Sequence, residues 1–169
     1  TMIAFDGVAP VAKLEQQRTR RYKSYLMEEI KKSILPKESY QKVWDKTAIT
    51  PGTKFMHKLG KRITNYYSKN PNVIVSTSSE PGEGEHKIFQ YIRDHQEYHK
   101  NIITLIYGLD ADLIMLCLNH IPISKHIYLY RETPEFIKSI NTDLEPNQPY
   151  FMDILELANA IIEKMTGHK

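Results

Sequence analysis

Apolar positions along this chain follow two periods. Short runs of apolar and β-branched residues alternate with longer stretches in which apolar residues recur every three or four positions. Met2-Ile3-Ala4-Phe5 is a short apolar run ending at Asp6-Gly7, which reads as a strand entering a turn. Lys13 to Lys32 has no Pro or Gly and is rich in Gln, Arg, Lys, Glu, Leu and Met, so it predicts a long, very polar helix. Ile34 to Thr50 is polar and fits neither period well. Thr50-Pro51-Gly52-Thr53 reads as a helix start, with Phe55, Leu59, Ile63 and Tyr66 following at helical spacing. Asn72 to Thr77 is a β-branched strand, and the loop Ser78 to Gly84 leads to a helix with Ile88, Tyr91 and Ile92 on one side. Ile102 to Tyr107 predicts a buried strand closed by Gly108. Ala111 to Leu118 is a compact apolar helix, His126 to Tyr130 a further strand, and Phe151 to Met165 a last helix. Strands separated by helices predict an α/β fold with a mostly parallel central sheet covered by helices on both faces. In such sheets the functional site lies beyond the carboxyl ends of the strands.

Composition narrows the class. The chain has 169 residues, of which 41% are hydrophobic and 25% charged, enough for one domain with a core and too apolar for disorder throughout. A single cysteine, Cys117, excludes an internal disulfide framework and a cysteine-rich zinc site. Lying in an apolar helix, it reads as inert packing and suits a reducing, intracellular compartment, cytoplasm or nucleus being left open. No apolar run approaches the ~18 residues a membrane span needs, and no basic segment leading into an apolar one marks a signal peptide. The excess of 23 Lys+Arg over 20 Asp+Glu is too small to name a partner, so the placement of the charges matters more. The chain opens at Thr1 and runs within a few residues into core-like sequence, so a piece of a longer protein is expected.

Three acidic clusters follow three of the predicted strands. Asp6 ends the first; Glu83 and Glu85 lie in Pro81-Gly82-Glu83-Gly84-Glu85-His86; Asp110 and Asp112 lie in Gly108-Leu109-Asp110-Ala111-Asp112. Any one of them alone reads as a turn or a helix N-cap, a role that stabilises by about 1 kcal/mol. Five carboxylates at one end of a sheet repel one another and stay ionised only beside cations. With few nitrogen or sulfur donors, such a set selects Mg²⁺ or Mn²⁺. Two such ions about 4 Å apart serve phosphoryl transfer, one generating a hydroxide and the other stabilising the leaving oxygen. His86 is open between a ligand, a phosphate contact and a solvated side chain.

Basic charge is concentrated nearby. Lys13, Gln17, Arg20 and Arg21 fall on one stripe of the first helix, and the segment also carries Arg18 and Lys23 with only Glu15 to balance them. A solvated face is the ordinary reading of such a stripe. However, a short loop ties this helix to Asp6. A helix N-terminus with Lys and Arg side chains can receive a terminal phosphate, as a nuclease requires. Tyr66, Tyr67, Tyr128 and Tyr130 could stack bases, but core or amphipathic surface positions are the simpler reading.

Four motifs in order carry a family resemblance. They are Ile3-Ala4-Phe5-Asp6-Gly7-Val8-Ala9-Pro10 with Ala12-Lys13, Gln16-Gln17-Arg18 and Arg20-Arg21; Thr50 to Met56; Glu80 to Ile88; and Tyr107 to Leu116. Together they closely resemble the N-terminal nuclease region of the XRN-type 5′→3′ exoribonucleases, from Ile3 to about Arg131. The resemblance implies a PIN/FEN-like nuclease fold and Mg²⁺- or Mn²⁺-dependent hydrolysis of RNA from a 5′-monophosphate end, releasing nucleoside 5′-monophosphates. Asp6, Glu83, Glu85, Asp110 and Asp112 match family metal-site carboxylates. Lys13, Gln17, Arg20 and Arg21 match the pocket that recognises the 5′-phosphate. The stretch from Thr19 to Thr50, with Trp44, resembles a helical part of the family.

The sequence also departs from the family pattern. Family members begin with a segment that supplies another strand and another metal-site aspartate, and they continue past the helix that Phe151–Met165 matches. Asp143 and Asp153 do not stand in the context of the family's further aspartate. Residues 1–169 are therefore expected to be the central part of a nuclease domain with an incomplete fold and weak or no activity alone. The competing expectations are an inactive fragment that still binds 5′-phosphorylated RNA, and a flap-endonuclease-like DNA nuclease.

Overall fold

A computed structural model describes residues 1–34, 44–139 and 141–167. The middle of the ambiguous Ile34–Thr50 stretch, and with it part of the Thr19–Thr50 resemblance, lies outside the described residues. The chain divides into two compact units, Thr1–Ile88 and Phe89–Lys169.

In the first unit, β1 (Met2–Ala4) and β2 (Ile74–Ser76) pair in parallel, Ile3 opposite Val75. The ladder runs on one residue through the Phe5 N–H, which donates to Ser76 O at 2.9 Å. Between them lie α1 (Val11–Ile34) and α2 (Lys54–Tyr67). α2 starts where Thr50-Pro51-Gly52-Thr53 predicts. Gly52 takes φ +89°, which a side chain disfavours, and the Thr53 hydroxyl caps the helix by accepting from the Met56 N–H. Met56 and Gly60 are buried, and Gly60 lets α2 approach Thr77 at the end of β2. α1 has no buried residue along its 24-residue length. Its mixed charge and lack of Pro and Gly make the helix, but packing does not anchor it.

The division between the units falls within α3 (Gly84–Asp94). The second unit continues with α4 (Gln96–His99), β3 (Thr104–Tyr107), α5 (Asp112–Asn119), β4 (Ile127–Glu132), β5 (Pro149–Asp153) and α6 (Ile154–Thr166). β3 and β4 pair in parallel and β5 joins β4 antiparallel. Phe89, Ile92, Cys117, Ile127, Leu129 and Ile154 are all less than 2% exposed and form the core. Burial pushes the Cys117 thiol up to about 12, so it is inert packing at neutral pH, as expected.

The fold is mixed α/β, as the alternating pattern predicts, but the described strands form two small sheets. A single, mostly parallel central sheet is not seen. The sequence reading also missed β5. Its Phe151–Met165 helix begins only at Ile154, because Asp153 caps it, accepting from the Leu155 and Glu156 N–H groups at 3.0 and 3.1 Å. The residues before that cap pair with β4. β3 alternates, with Thr104 and Ile106 buried but Leu105 and Tyr107 more than half exposed, so it is covered on one face where a strand covered on both was expected. On the open face Tyr107, Tyr130 and Phe151 form a cross-strand ladder, with ring centroids 5.6 and 4.8 Å apart. Tyr130 and Tyr128 are half-buried, while Tyr66 is exposed and meets Tyr67 edge-on.

Candidate active site

The carboxyl ends of β1 and β2 gather the first unit's charged side chains. After β1 the chain turns at Asp6-Gly7. The Gly7 N–H donates to Gly82 O at 2.8 Å, and the Gly82 N–H returns to Val8 O at 2.9 Å, so the loops after the two strands are stitched together. A Cβ on Gly7 would lie 1.7 Å from Glu80 O, which only glycine avoids. Gly84 is constrained less severely, since its Cβ would meet Ala4 O at 2.9 Å. This close approach brings the N-terminus of α3 to Asp6, whose carboxylate accepts from the Gly84 N–H at 2.7 Å. Asp6 is therefore held at the residue between Glu83 and Glu85.

Glu83, Glu85 and His86 each offer one ligand atom within 4.8 Å of the others, so these three could hold a metal ion. Glu83 is nearly covered, Glu85 is half-buried and His86 is exposed. The His86 Nε2 stands 3.7 Å from Glu83 and 3.9 Å from Glu85. Two carboxylates and a water-facing imidazole make a donor set for a divalent cation, the oxygens being hard donors and the imidazole the softer one. One cationic group is already present: the Lys13 Nζ pairs with Glu83 Oε1 at 2.6 Å. A positive charge sits where the carboxylates need one, so the residues fit a cation.

That pair joins the basic stripe to the acidic cluster. Along α1, Lys13 and Gln17 are half-buried, and Arg20 and Arg21 are exposed. Arg21 also lines a surface groove of about 800 Å³ with Val11, Leu14, Glu15, Arg18, Tyr22, Tyr25 and Thr47. Of the nine residues expected in the site, Asp6, Lys13, Glu83 and Glu85 come together in the first unit, with Gln17, Arg20 and Arg21 along the same helix as Lys13.

Asp110 and Asp112 belong to the second unit, where both are exposed. Asp110 follows β3, and its carboxylate faces the Asp112 N–H at 3.4 Å, a weak contact. Asp112 opens α5, where negative charge favours the helix N-terminus.

The sequence matches the family described as "XRN 5'-3' exonuclease N-terminus" over residues 1–133. The chain belongs to this family. Relatives named 5'-3' exoribonuclease 2 are similar over most of its length. That of Eremothecium gossypii is 39% identical over 96% of this chain, and that of Saccharomyces cerevisiae is 41% identical over 78%. The Schizosaccharomyces pombe relative is 41% identical over 77%. This member of the XRN family spans 20% of the first relative's length and 16% of the other two. Among the described residues, no helix is long and apolar enough to cross a membrane.

Two site-supporting residues escaped the sequence reading. The Lys87 ammonium donates to Phe5 O and Thr77 O, both at 2.9 Å, and so ties the ends of β1 and β2 together beside Asp6. Burial lowers its pKa, and the Glu80 and Asp6 carboxylates oppose that shift. In the second unit the Arg131 guanidinium donates to Leu109 O at 2.9 Å, bracing the loop that carries Asp110. Each had a signal: Lys87 stands in the first turn of a helix that opens on Glu85, and Arg131 lies near the end of the strand that follows Asp110 in the chain.

Proposed function

We propose that this chain forms part of a metal-dependent 5′→3′ exoribonuclease that hydrolyses 5′-monophosphorylated RNA stepwise to nucleoside 5′-monophosphates. The observation that carries the reading is the 2.6 Å contact between Lys13 and Glu83, in a chain of the XRN family. It sets a basic stripe against a carboxylate cluster, which supports the reading because an RNA end must be held while its first linkage is attacked. Asp6, Glu83, Glu85, Asp110 and Asp112 act as metal-site carboxylates. When bound, two Mg²⁺ or Mn²⁺ ions supply an activated water and stabilise the leaving oxygen. Lys13, Gln17, Arg20 and Arg21 receive the terminal phosphate, the arginines through bidentate hydrogen bonds. A pocket closed around one phosphate rejects a triphosphate or a cap.

The test is incubation of 5′-monophosphate, 5′-triphosphate and 5′-hydroxyl RNAs with Mg²⁺, using this chain and a chain of the relatives' full length. Digestion of the monophosphate RNA alone by the longer protein supports the reading, and equal digestion of all three refutes the phosphate pocket. In the longer protein, Asp110→Ala is expected to abolish Mg²⁺-dependent turnover without unfolding it. Arg21→Ala is expected to reduce the preference for 5′-phosphate over 5′-hydroxyl ends.

A further inference from the structure

Lys13 stands in two places at once. It belongs to the stripe read above as the 5′-phosphate receptor, and its ammonium is also the partner of Glu83. The Glu83 side chain is 11% exposed and that of Lys13 38%. A carboxylate so nearly covered is costly without a cation beside it. His86 does not relieve Lys13 of that task, since its Nε2 is 3.7 Å from the other Glu83 oxygen, beyond hydrogen-bonding distance. Glu83 therefore depends on Lys13 as long as no other cation is bound.

We infer that Lys13 is a shared cation that couples divalent-metal binding at Glu83 to binding of the RNA 5′-phosphate. A divalent cation on Glu83 makes the Lys13 charge redundant there and leaves the ammonium to the phosphate. A phosphate that draws Lys13 away leaves Glu83 a bare, nearly buried carboxylate that favours the metal. The two ligands bind cooperatively, and linkage requires the same factor in both directions. The inference rests on the phosphate-receptor reading above and adds a consequence: without metal, the stripe holds a 5′-phosphate poorly because its first lysine is engaged. Substrate capture is thereby favoured in the metal-loaded protein.

The test is a Mn²⁺ titration of this chain, followed by the paramagnetic resonance of the free ion. It is run alone, with a hydrolysis-resistant phosphorothioate oligoribonucleotide bearing a 5′-phosphate, and with its 5′-hydroxyl counterpart. The 5′-phosphorylated oligomer is expected to tighten Mn²⁺ binding about fivefold or more, within the usual range of site–site coupling, and the 5′-hydroxyl oligomer to leave it unchanged. Lys13→Met is expected to bind Mn²⁺ alone more tightly than the wild type and to lose the gain from the 5′-phosphate. Arg21→Met, which removes a positive charge from the same stripe but not the partner of Glu83, is expected to leave the affinity for Mn²⁺ alone unchanged. Circular dichroism checks that the variants fold, and if Lys13→Met does not, the two oligomers on the wild type decide. Equal Mn²⁺ affinity with and without the 5′-phosphate overturns the inference alone. A gain that survives in Lys13→Met does the same. No Mn²⁺ binding by the wild type overturns the metal-site reading and the inference together.

Discussion

The two units are held together by different physics. In Phe89–Lys169, six apolar side chains among the described residues are almost fully removed from water around a three-stranded sheet. In Thr1–Ile88, the buried apolar side chains among the described residues are Ala9 and Met56. There the links run through backbone and charge: Gly7 to Gly82, Asp6 to Gly84, Lys87 to two strand-end carbonyls, and Lys13 to Glu83. A non-directional apolar core tolerates small displacements of its members, whereas hydrogen-bonded and ionic contacts demand stated atoms at stated distances. The unit poorer in core is therefore the one that orients its charged groups most closely. It also leaves apolar side chains of α1, among them Val11, Tyr22 and Leu26, more than half exposed.

Substitutions can break this contrast, and the largest effect is expected in the core. Leu129→Ala should destabilise the second unit by about 3 kcal/mol, through lost transfer energy and a cavity, whereas Val11→Ala, at a side chain 83% exposed, should change stability by less than about 0.5 kcal/mol. Urea unfolding measures both, and equal costs would erase the distinction between the units. Gly7→Ala comes next. Its methyl must displace the Glu80 carbonyl, at an expected cost of about 2 kcal/mol, and Mn²⁺ affinity should fall with it because the loops around Asp6 and Glu83 part. Lys87→Met should cost about 1 kcal/mol, the net worth of two hydrogen bonds less the relief of a desolvated charge. An unchanged unfolding midpoint would mean that the two cancel.

The smallest effect is pH dependence in the second unit. His99 is buried there, with its Nδ1 2.8 Å from the Thr104 hydroxyl and its Nε2 without a partner among the described residues. Burial, and then the neighbouring His95, hold its pKa below the ordinary 6.5. The unfolded chain therefore takes up the proton first as the pH drops. The His99 contribution to stability is complete above about pH 6.5 and shrinks as the pH falls from there towards the lowered native value. Unfolding midpoints on either side of pH 6.5 should differ in that direction in the wild type, and differ less in His99→Gln.

Much of this was legible in the residues. Thr50-Pro51-Gly52-Thr53 marks the start of α2, the β-branched Asn72–Thr77 run marks β2, and Cys117 reads correctly as packing. The long polar stretch from Lys13 to Lys32 marks α1, whose charge and turn-free composition need no tertiary support to be recognised. Some acidic residues could not be sorted this way. Asp153 is a helix cap, Asp6 sits at a helix N-terminus, and Asp112 opens a helix, yet locally all three are an aspartate at the edge of an element. What separates their carboxylates is the company brought by distant chain: that of Asp6 accepts from Gly84, 78 positions away, while that of Asp153 accepts from N–H groups two and three residues on.

The sequence by itself determined the mixed α/β class, most of the elements, the positions of the acidic and basic clusters, and the family, because period, capping and motif spacing act over a few residues. Only the tertiary structure decided that the strands form two small sheets, that β5 precedes the last helix, and that one face of β3 stays open. It alone brought Lys13 to Glu83 and Lys87 to the ends of β1 and β2. Contacts between residues 70 or more positions apart depend on the path of the whole chain, and no local pattern of polar and apolar positions encodes that path.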